Sequence, residues 1–187
     1  MELRYRLFMQ LLIGVIALQV FAGDPPAHAQ TVTSDSGSSP HAVAAEPLSE
    51  EAEAIAKRLR ATLAAAGLRA DVSLTGKPGD AIELARQAKL DGYEVIAAAG
   101  GDGTVNEVVN GIARVTPPGE IVGPLAVLPM GSGNDFADMV GAPRDMTAGV
   151  QKIQAGQSRL IDLCLATAHS QGQEITRYFD NNLGAGF

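Results

Sequence analysis

The residues best suited to chemistry form a glycine-rich loop, Gly100-Gly101-Asp102-Gly103-Thr104, between an apolar run at 95–99 and a helical pattern. Glycines let a backbone approach phosphate oxygens closely, and the amides that open a helix attract anions. The Asp102 carboxylate would repel a phosphate unless a cation lies between them or the acid positions a water or hydroxyl. Magnesium is the simplest such cation. The alternative is an ordinary glycine turn in which Asp102 and Thr104 only cap the helix.

A second loop repeats this design. The apolar run at 125–129 precedes Gly131-Ser132-Gly133-Asn134-Asp135, and a helical pattern follows. Ser132 and Asn134 are small hydrogen-bonding residues suited to phosphate or ribose, and Asp135 supplies a second carboxylate. The alternative is that Asn134 and Asp135 merely cap the helix. Neither loop has the Walker A or Rossmann pattern. We expect the two loops to bind one magnesium-bound triphosphate together, with Asp102 at the centre.

The elements that position these loops alternate regularly. Apolar residues recur every four positions at Ile55, Leu59 and Leu63, and short unbroken apolar runs are typical of buried parallel strands. This alternation predicts an α/β fold in which helices cover an open parallel sheet in three layers, with ligands at the carboxyl ends of the strands. The predicted strands are 68–74, 95–99 and 125–128; the predicted helices are 49–66, one starting near 80, 104–113, 135–140 and 145–155.

The chain divides into four predicted segments. Residues 1–30 carry two arginines, an apolar run and a small-x-small site at Ala27-His28-Ala29, which is typical of a secretory signal peptide; the alternative is a mis-assigned start or a displaced first strand. Residues 31–48 have the composition of a linker. We expect the nucleotide-binding domain at 49–157. The segment 158–187 contains two strand-like runs, 159–167 and 174–181, around a hairpin turn at 170–173.

Composition excludes several functions. The net charge of −7 and the lack of a Lys/Arg stripe argue against nucleic-acid binding. The single cysteine, Cys164, cannot form an internal disulfide, and its apolar surroundings predict a core position. The three histidines are scattered in loop-like contexts, so a histidine metal site or base is not expected.

The motifs Gly-Gly-Asp-Gly-Thr-Val-Asn-Glu-Val-Val-Asn-Gly at 100–111 and Leu-Pro-Met-Gly-Ser-Gly-Asn-Asp-Phe-Ala at 128–137 resemble the diacylglycerol kinase catalytic domain, a family that includes sphingosine and ceramide kinases. The resemblance covers roughly residues 50–187, and Thr75-x-x-x-Gly79-Asp80-Ala81 matches a further family element. It implies a fold like that of phosphofructokinase and NAD kinase, with ATP and Mg²⁺ as cofactors. The implied ATP contacts are Thr75, Gly100, Gly101, Asp102, Gly103, Thr104, Val105, Asn106, Gly131, Ser132, Gly133 and Asn134, and the implied magnesium and water network is Asp80, Asp102 and Asp135.

Two departures from the family pattern affect the expected site. The Asn-Pro-x-Ser-Gly phosphate loop of the family has only a poor substitute in Ser36-Gly37. Family members also continue into a β-rich domain that supplies lipid contacts and the general base, and we expect this domain and base to be missing from residues 1–187. Asp102 is then the one catalytic residue expected in this chain.

The resemblance implies an ATP-dependent lipid kinase that transfers the γ-phosphate to a lipid hydroxyl, here as an incomplete fragment. The expected location is cytoplasmic and peripheral at the membrane, with export left open by the N-terminus. The expected partners are ATP and a membrane lipid such as diacylglycerol, without nucleic acid; a homodimer stays open. The alternatives are a NAD kinase-like enzyme, a sugar kinase and a catalytically dead nucleotide-binding module.

Overall fold

The computed structural model describes residues 16–21, 50–170 and 172–180, and for 16–21 it describes the backbone only. Predictions for other positions, among them the 31–48 linker and the Ser36-Gly37 substitute loop, lie outside the described residues. In chain order the elements are β1 (Ile16–Phe21), α1 (Glu50–Ala65), β2 (Arg69–Leu74), α2 (Asp80–Leu90), β3 (Val95–Gly100), α3 (Asp102–Ala113), β4 (Leu125–Pro129), α4 (Asp135–Met139), α5 (Met146–Gln154), β5 (Cys164–Ser170) and β6 (Gln173–Phe179).

Strands β1 to β4 form a mixed sheet in the order β2-β1-β3-β4. β3 and β4 are parallel, whereas β1 is antiparallel to both β2 and β3. The prediction of a wholly parallel sheet is therefore wrong at β1. An antiparallel ladder satisfies the backbone groups of β2 and β3 as fully as a parallel ladder would, so an apolar run can occupy this position in either direction. Because β2 and β3 both oppose β1, the strands β2, β3 and β4 still point the same way.

The signal-like N-terminal segment contributes β1 to this sheet. Residues 16–21 belong to its apolar run, and their backbone pairs with β2 on one side and with β3 on the other. This placement agrees with the alternative of a displaced first strand, while the signal peptide itself stays a prediction. Within the described parts of the chain, no helix is both long enough and apolar enough to cross a bilayer.

Helices cover both faces of the sheet. Successive side chains of β3 point to opposite faces, and each set packs against a different group of helices. Ala97 and Ala99 belong to one buried cluster, whose helical members come from α1 and α5. Ile96 and Ala98 belong to another, with members from α2, α3 and α4. Small alanine side chains on β3 let the helices approach the sheet closely. The Gly100 loop that follows β3 is therefore held from both faces.

The helices and strands of 50–157 confirm the periodic pattern, with small shifts at their ends. α3 begins at Asp102 rather than at Thr104, which brings the Asp102 carboxylate into the first helical turn. α5 is capped by Asp145, whose carboxylate accepts a 2.9 Å hydrogen bond from the Ala148 amide. This cap fixes the start of α5 at the position that the sequence predicts.

The β5–β6 hairpin also forms, but it does not bury Cys164. β5 begins at Cys164 and pairs with β6 alone, and Cys164 is exposed. The prediction of a core cysteine is wrong because a two-stranded sheet has too few neighbours to cover the side chains on both faces. Whether a β-rich domain follows residue 187 is not decided by this hairpin, and that domain stays a prediction.

Two glycines of α3 provide a matched test of its packing on α2. A Cβ at Gly111 would lie 2.3 Å from the Ile82 carbonyl oxygen, whereas a Cβ at Gly103 would have no atom within 4 Å. We expect Gly111→Ala to lower the unfolding free energy by about 1–3 kcal/mol, because the two helix backbones must separate. Gly103→Ala should leave it unchanged or raise it, since alanine favours helix. Urea unfolding followed by far-ultraviolet circular dichroism measures both; equal stability of the two variants would contradict this packing.

Candidate phosphate-binding site

Three loops meet at one edge of the sheet. They follow β2, β3 and β4, whose carboxyl ends lie together because these strands run in the same direction. We call them the Thr75 loop (residues 75–80), the Gly100 loop (100–104) and the Gly131 loop (130–135). The predicted nucleotide and metal residues all belong to these loops or to the next turn of α3, so the fold brings the predicted site to a single edge.

The Gly100 and Gly131 loops are in direct contact. A Cβ at Gly131 would lie 2.5 Å from the Gly101 Cα, and a Cβ at Gly101 would lie 2.8 Å from the Gly133 carbonyl oxygen. Side chains at these positions would push the backbones apart. The glycines are therefore required for the loops to touch, which is a second reason for their presence besides phosphate binding.

Asp102 links the two loops. Its carboxylate accepts hydrogen bonds from the Phe136 amide at 2.9 Å and from the Asp135 amide at 3.1 Å. These amides open α4, so Asp102 caps a helix from a position 33 residues earlier. Asn134 closes the Gly131 loop on itself, because its side-chain amide donates to the Gly131 carbonyl oxygen at 2.7 Å. Sequence reasoning gave Asp102 a chemical role and missed this structural one.

The tip of the Gly100 loop has the features of an anion site. The Thr104 and Val105 amides both donate to the Gly101 carbonyl oxygen, so helix geometry leaves the amides of Asp102 and Gly103 without an acceptor in the helix. Space above Gly103 is open. The Thr104 side chain is 2% exposed, and its hydroxyl has no hydrogen-bond partner. A phosphate could use the amides of Asp102 and Gly103, whereas the Thr104 hydroxyl is enclosed beneath the loop.

The Thr75 loop is tied both to itself and to α3. Asp80 accepts hydrogen bonds from the amides of Gly76 at 2.9 Å and Lys77 at 3.0 Å. Glu107, in the second turn of α3, accepts from the Gly79 amide at 2.9 Å. Sequence reasoning missed Glu107 because its partner lies 28 residues away. The carboxylates of Asp80 and Glu107 therefore hold the loop in place.

The predicted metal residues are near the site but do not form a ready-made cage. Across the described ranges, no group of three or more histidine, cysteine, aspartate or glutamate side chains could hold a metal ion. Asp80 and Asp102 both accept bonds from backbone amides, whereas Asp135 is exposed. Their metal roles stay a prediction.

Four predicted contacts have buried side chains, among them Thr104 and Asn134 at 2% and 8% exposed. Val105 is 1% exposed within the core cluster of α3, so only its backbone faces the loops. Thr75 is 5% exposed at the end of β2. Ser132, in contrast, is exposed at the tip of the Gly131 loop. Of these five side chains, that of Ser132 is the one open to a ligand in solution.

Asn106 and Asn110 dock the hairpin onto α3. The Asn110 side chain exchanges two hydrogen bonds with the Tyr178 backbone, donating to its carbonyl oxygen at 2.8 Å and accepting from its amide at 3.0 Å. Asn106 donates to the same carbonyl oxygen at 3.1 Å. The predicted contact of Asn106 with the nucleotide stays a prediction; in this structure its side-chain amide bonds the hairpin. Two asparagines four residues apart on an apolar helix were the signal that could have revealed this contact.

Asp180, at the end of β6, was missed by sequence reasoning. Burial raises the pKa of its carboxyl group. A hydrogen bond from Asn106 lowers that pKa, and the nearby negative charge of Asp102 raises it further. One carboxylate oxygen of Asp180 is enclosed and has no hydrogen-bond partner. The hairpin thus places a partly buried carboxyl group near Asp102.

Comparison with known proteins identifies the family of this chain. Residues 43–166 match the family model described as the diacylglycerol kinase catalytic domain. The chain therefore belongs to the diacylglycerol kinase catalytic domain family.

Curated relatives support the same family. The chain is 39% identical over 122 residues to a protein of Bacillus subtilis (strain 168) named diacylglycerol kinase, covering 65% of this chain and 36% of that protein. It is 40% identical over 121 residues to a protein of the same name from Staphylococcus aureus (strain JH9), covering 65% of this chain and 34% of the relative. The matched part spans about a third of the length of these relatives.

The capping role of Asp102 can be tested by removing its charge. Asp102→Asn keeps one acceptor oxygen for two amides, so we expect the unfolding free energy to fall by about 1–3 kcal/mol. Asp135→Asn is the control, because the exposed Asp135 side chain makes no hydrogen bond in the described part of the chain; its effect should stay within about 0.5 kcal/mol. Denaturant unfolding measures both. A stable Asp102→Asn variant would refute the capping role.

The docking of the hairpin can be tested at Asn110. Asn110→Ala leaves the Tyr178 amide without its acceptor, so we expect amide exchange in 173–179 to accelerate by about tenfold or more. Asn106→Ala keeps both bonds between Asn110 and Tyr178 and should have a smaller effect. Hydrogen exchange followed by mass spectrometry measures the difference. Equal exchange in wild type and Asn110→Ala would show that other contacts hold the hairpin.

Proposed function

We propose that this chain carries the nucleotide-binding part of an ATP-dependent lipid kinase, which transfers the γ-phosphate of ATP to the hydroxyl of diacylglycerol or a related membrane lipid. The observation that carries the proposal is the contact between the Gly100 and Gly131 loops at one sheet edge, where the amides of Asp102 and Gly103 have no acceptor within α3. The names of the relatives and the family support the lipid acceptor. The enzyme would work at the cytoplasmic surface of a membrane.

The residues of the site have distinct parts in this proposal. The amides of Asp102 and Gly103 would bind phosphate oxygens, and Ser132 would add a hydroxyl from the facing loop. Phosphoryl transfer depends mainly on positioning and on neutralising charge, so loops held rigidly by Asp102 and Glu107 suit it.

A divalent cation is needed because the site is acidic. Asp102 and Asp135 would hold Mg²⁺ directly or through water, with Asp80 further out, since a carboxylate has lone pairs left after accepting amide hydrogen bonds. When bound, Mg²⁺ would neutralise the charge that develops on the transferred phosphoryl group.

Binding of ATP to the chain is the first test. We expect calorimetry to show magnesium-dependent binding with a dissociation constant of roughly 1 μM to 1 mM, the usual range for enzyme substrates. Gly103→Glu adds a negative charge at a position where a Cβ meets no atom within 4 Å, so it should weaken binding by about tenfold or more. Gly103→Ala is the matched control, because it adds bulk without charge, and it should weaken binding less than Gly103→Glu. Absence of magnesium-dependent binding, or full binding by Gly103→Glu, would contradict the proposal.

The acceptor requires a second assay. Radiolabelled ATP is incubated with diacylglycerol vesicles, NAD or fructose 6-phosphate. The assay is run with this chain and with the protein expressed from the full reading frame that encodes it. Label in the lipid alone supports the proposal. Label in NAD or in the sugar phosphate would favour the alternative kinases.

A further inference from the structure

The three loops of the site contain one basic residue. Lys77 lies in the Thr75 loop, whereas the charged residues of the three loops are otherwise Asp80, Asp102 and Asp135. A triphosphate brought to this edge would therefore meet more negative than positive charge. Cationic side chains as well as metal ions neutralise phosphate in proteins, which makes the position of Lys77 important.

The sheet places Lys77 near the Gly100 loop. Leu74, at the end of β2, pairs with Ile16, which pairs with Ala99 at the end of β3. The two loops thus start about 10 Å apart, which is two strand spacings. The Thr75 loop then extends toward α3, because the Gly79 amide lies 2.9 Å from the Glu107 carboxylate. A lysine two residues before Gly79 has a long, flexible stem with which to reach a ligand between the loops.

The Lys77 side chain is also free to act. Its backbone amide is fixed by Asp80 at 3.0 Å, but its side chain is exposed. Among the described residues, its ammonium group makes no hydrogen bond or ion pair. The nearby carboxylates of Asp80 and Glu107 bind backbone amides instead. The loop is thus held in place while its cation stays unpaired.

We propose that Lys77 binds the polyphosphate chain of the nucleotide from the side opposite the Gly131 loop. This inference rests on the proposed function. It adds a residue that recognises the negative charge of the phosphates and does not recognise the nucleoside. It follows that Lys77 contributes more to the affinity for ATP than to that for ADP, and nothing to that for adenosine.

The test compares Lys77→Gln, Lys77→Arg and wild type by calorimetry with ATP, ADP, adenosine and inorganic triphosphate. Lys77→Gln should weaken ATP and triphosphate binding by about tenfold and reduce the dependence of binding on salt. Lys77→Arg should keep most of the affinity. Lys57→Gln on α1 is the control for net charge, because Lys57 is exposed and outside the loops; it should bind like wild type. Thermal unfolding checks that the variants fold.

The outcomes separate this inference from the function on which it rests. If wild type binds ATP and Lys77→Gln binds it equally well, the role of Lys77 is refuted and the nucleotide site stands. Equal weakening by Lys57→Gln, or equal weakening of adenosine binding, refutes it as well. If wild type binds neither ATP nor triphosphate, the proposed function fails together with it.

Discussion

The polar side chains of α3 hold the site together. On an otherwise apolar helix packed against the sheet, Asp102, Glu107 and Asn110 bond backbone groups of three different segments: the Gly131 loop and start of α4, the Thr75 loop, and the β5–β6 hairpin. Each bond satisfies a backbone group that would otherwise lack a partner within its own element. The relative positions of the three loops and the hairpin therefore depend on one helix.

This arrangement explains how an acidic protein can offer an anion site. Carboxylates near a phosphate are unfavourable unless their charge is directed elsewhere, and those of Asp102, Asp80 and Glu107 all accept hydrogen bonds from backbone amides. Hydrogen bonds from amides to an ionised carboxylate are strong, so they stabilise these charges in place. The donors at the tip of α3 remain available. The acids hold the loops in place, and the amides at the start of α3 are left for the proposed ligand.

Much of this could be predicted from sequence, for a physical reason. Helix and strand periodicity is local, so the elements between 50 and 157 were found, and glycine loops after apolar runs located the sheet edge. The bonds that hold the site were not predictable in the same way. Asp102 meets Phe136 across 34 residues, and Asn110 meets Tyr178 across 68, and only the folded topology brings such pairs together.

Two errors share this origin. The composition of residues 16–21 does not indicate the direction of β1, because an apolar run can pair in a parallel or an antiparallel ladder. The exposure of Cys164 depends on how many strands lie beside β5, which its own neighbours in sequence do not reveal. Prediction from one sequence is weakest where a property belongs to the neighbours of an element rather than to the element itself.

The central position of β1 bears on how the polypeptide can be processed. β2 has β1 as its one sheet neighbour among the described strands, and β1 joins it to β3. A peptidase that cut at Ala27-His28-Ala29 would remove residues 16–21 and leave β2 without its neighbour in the sheet. Packing on α1 would then be the main contact that keeps β2 in place.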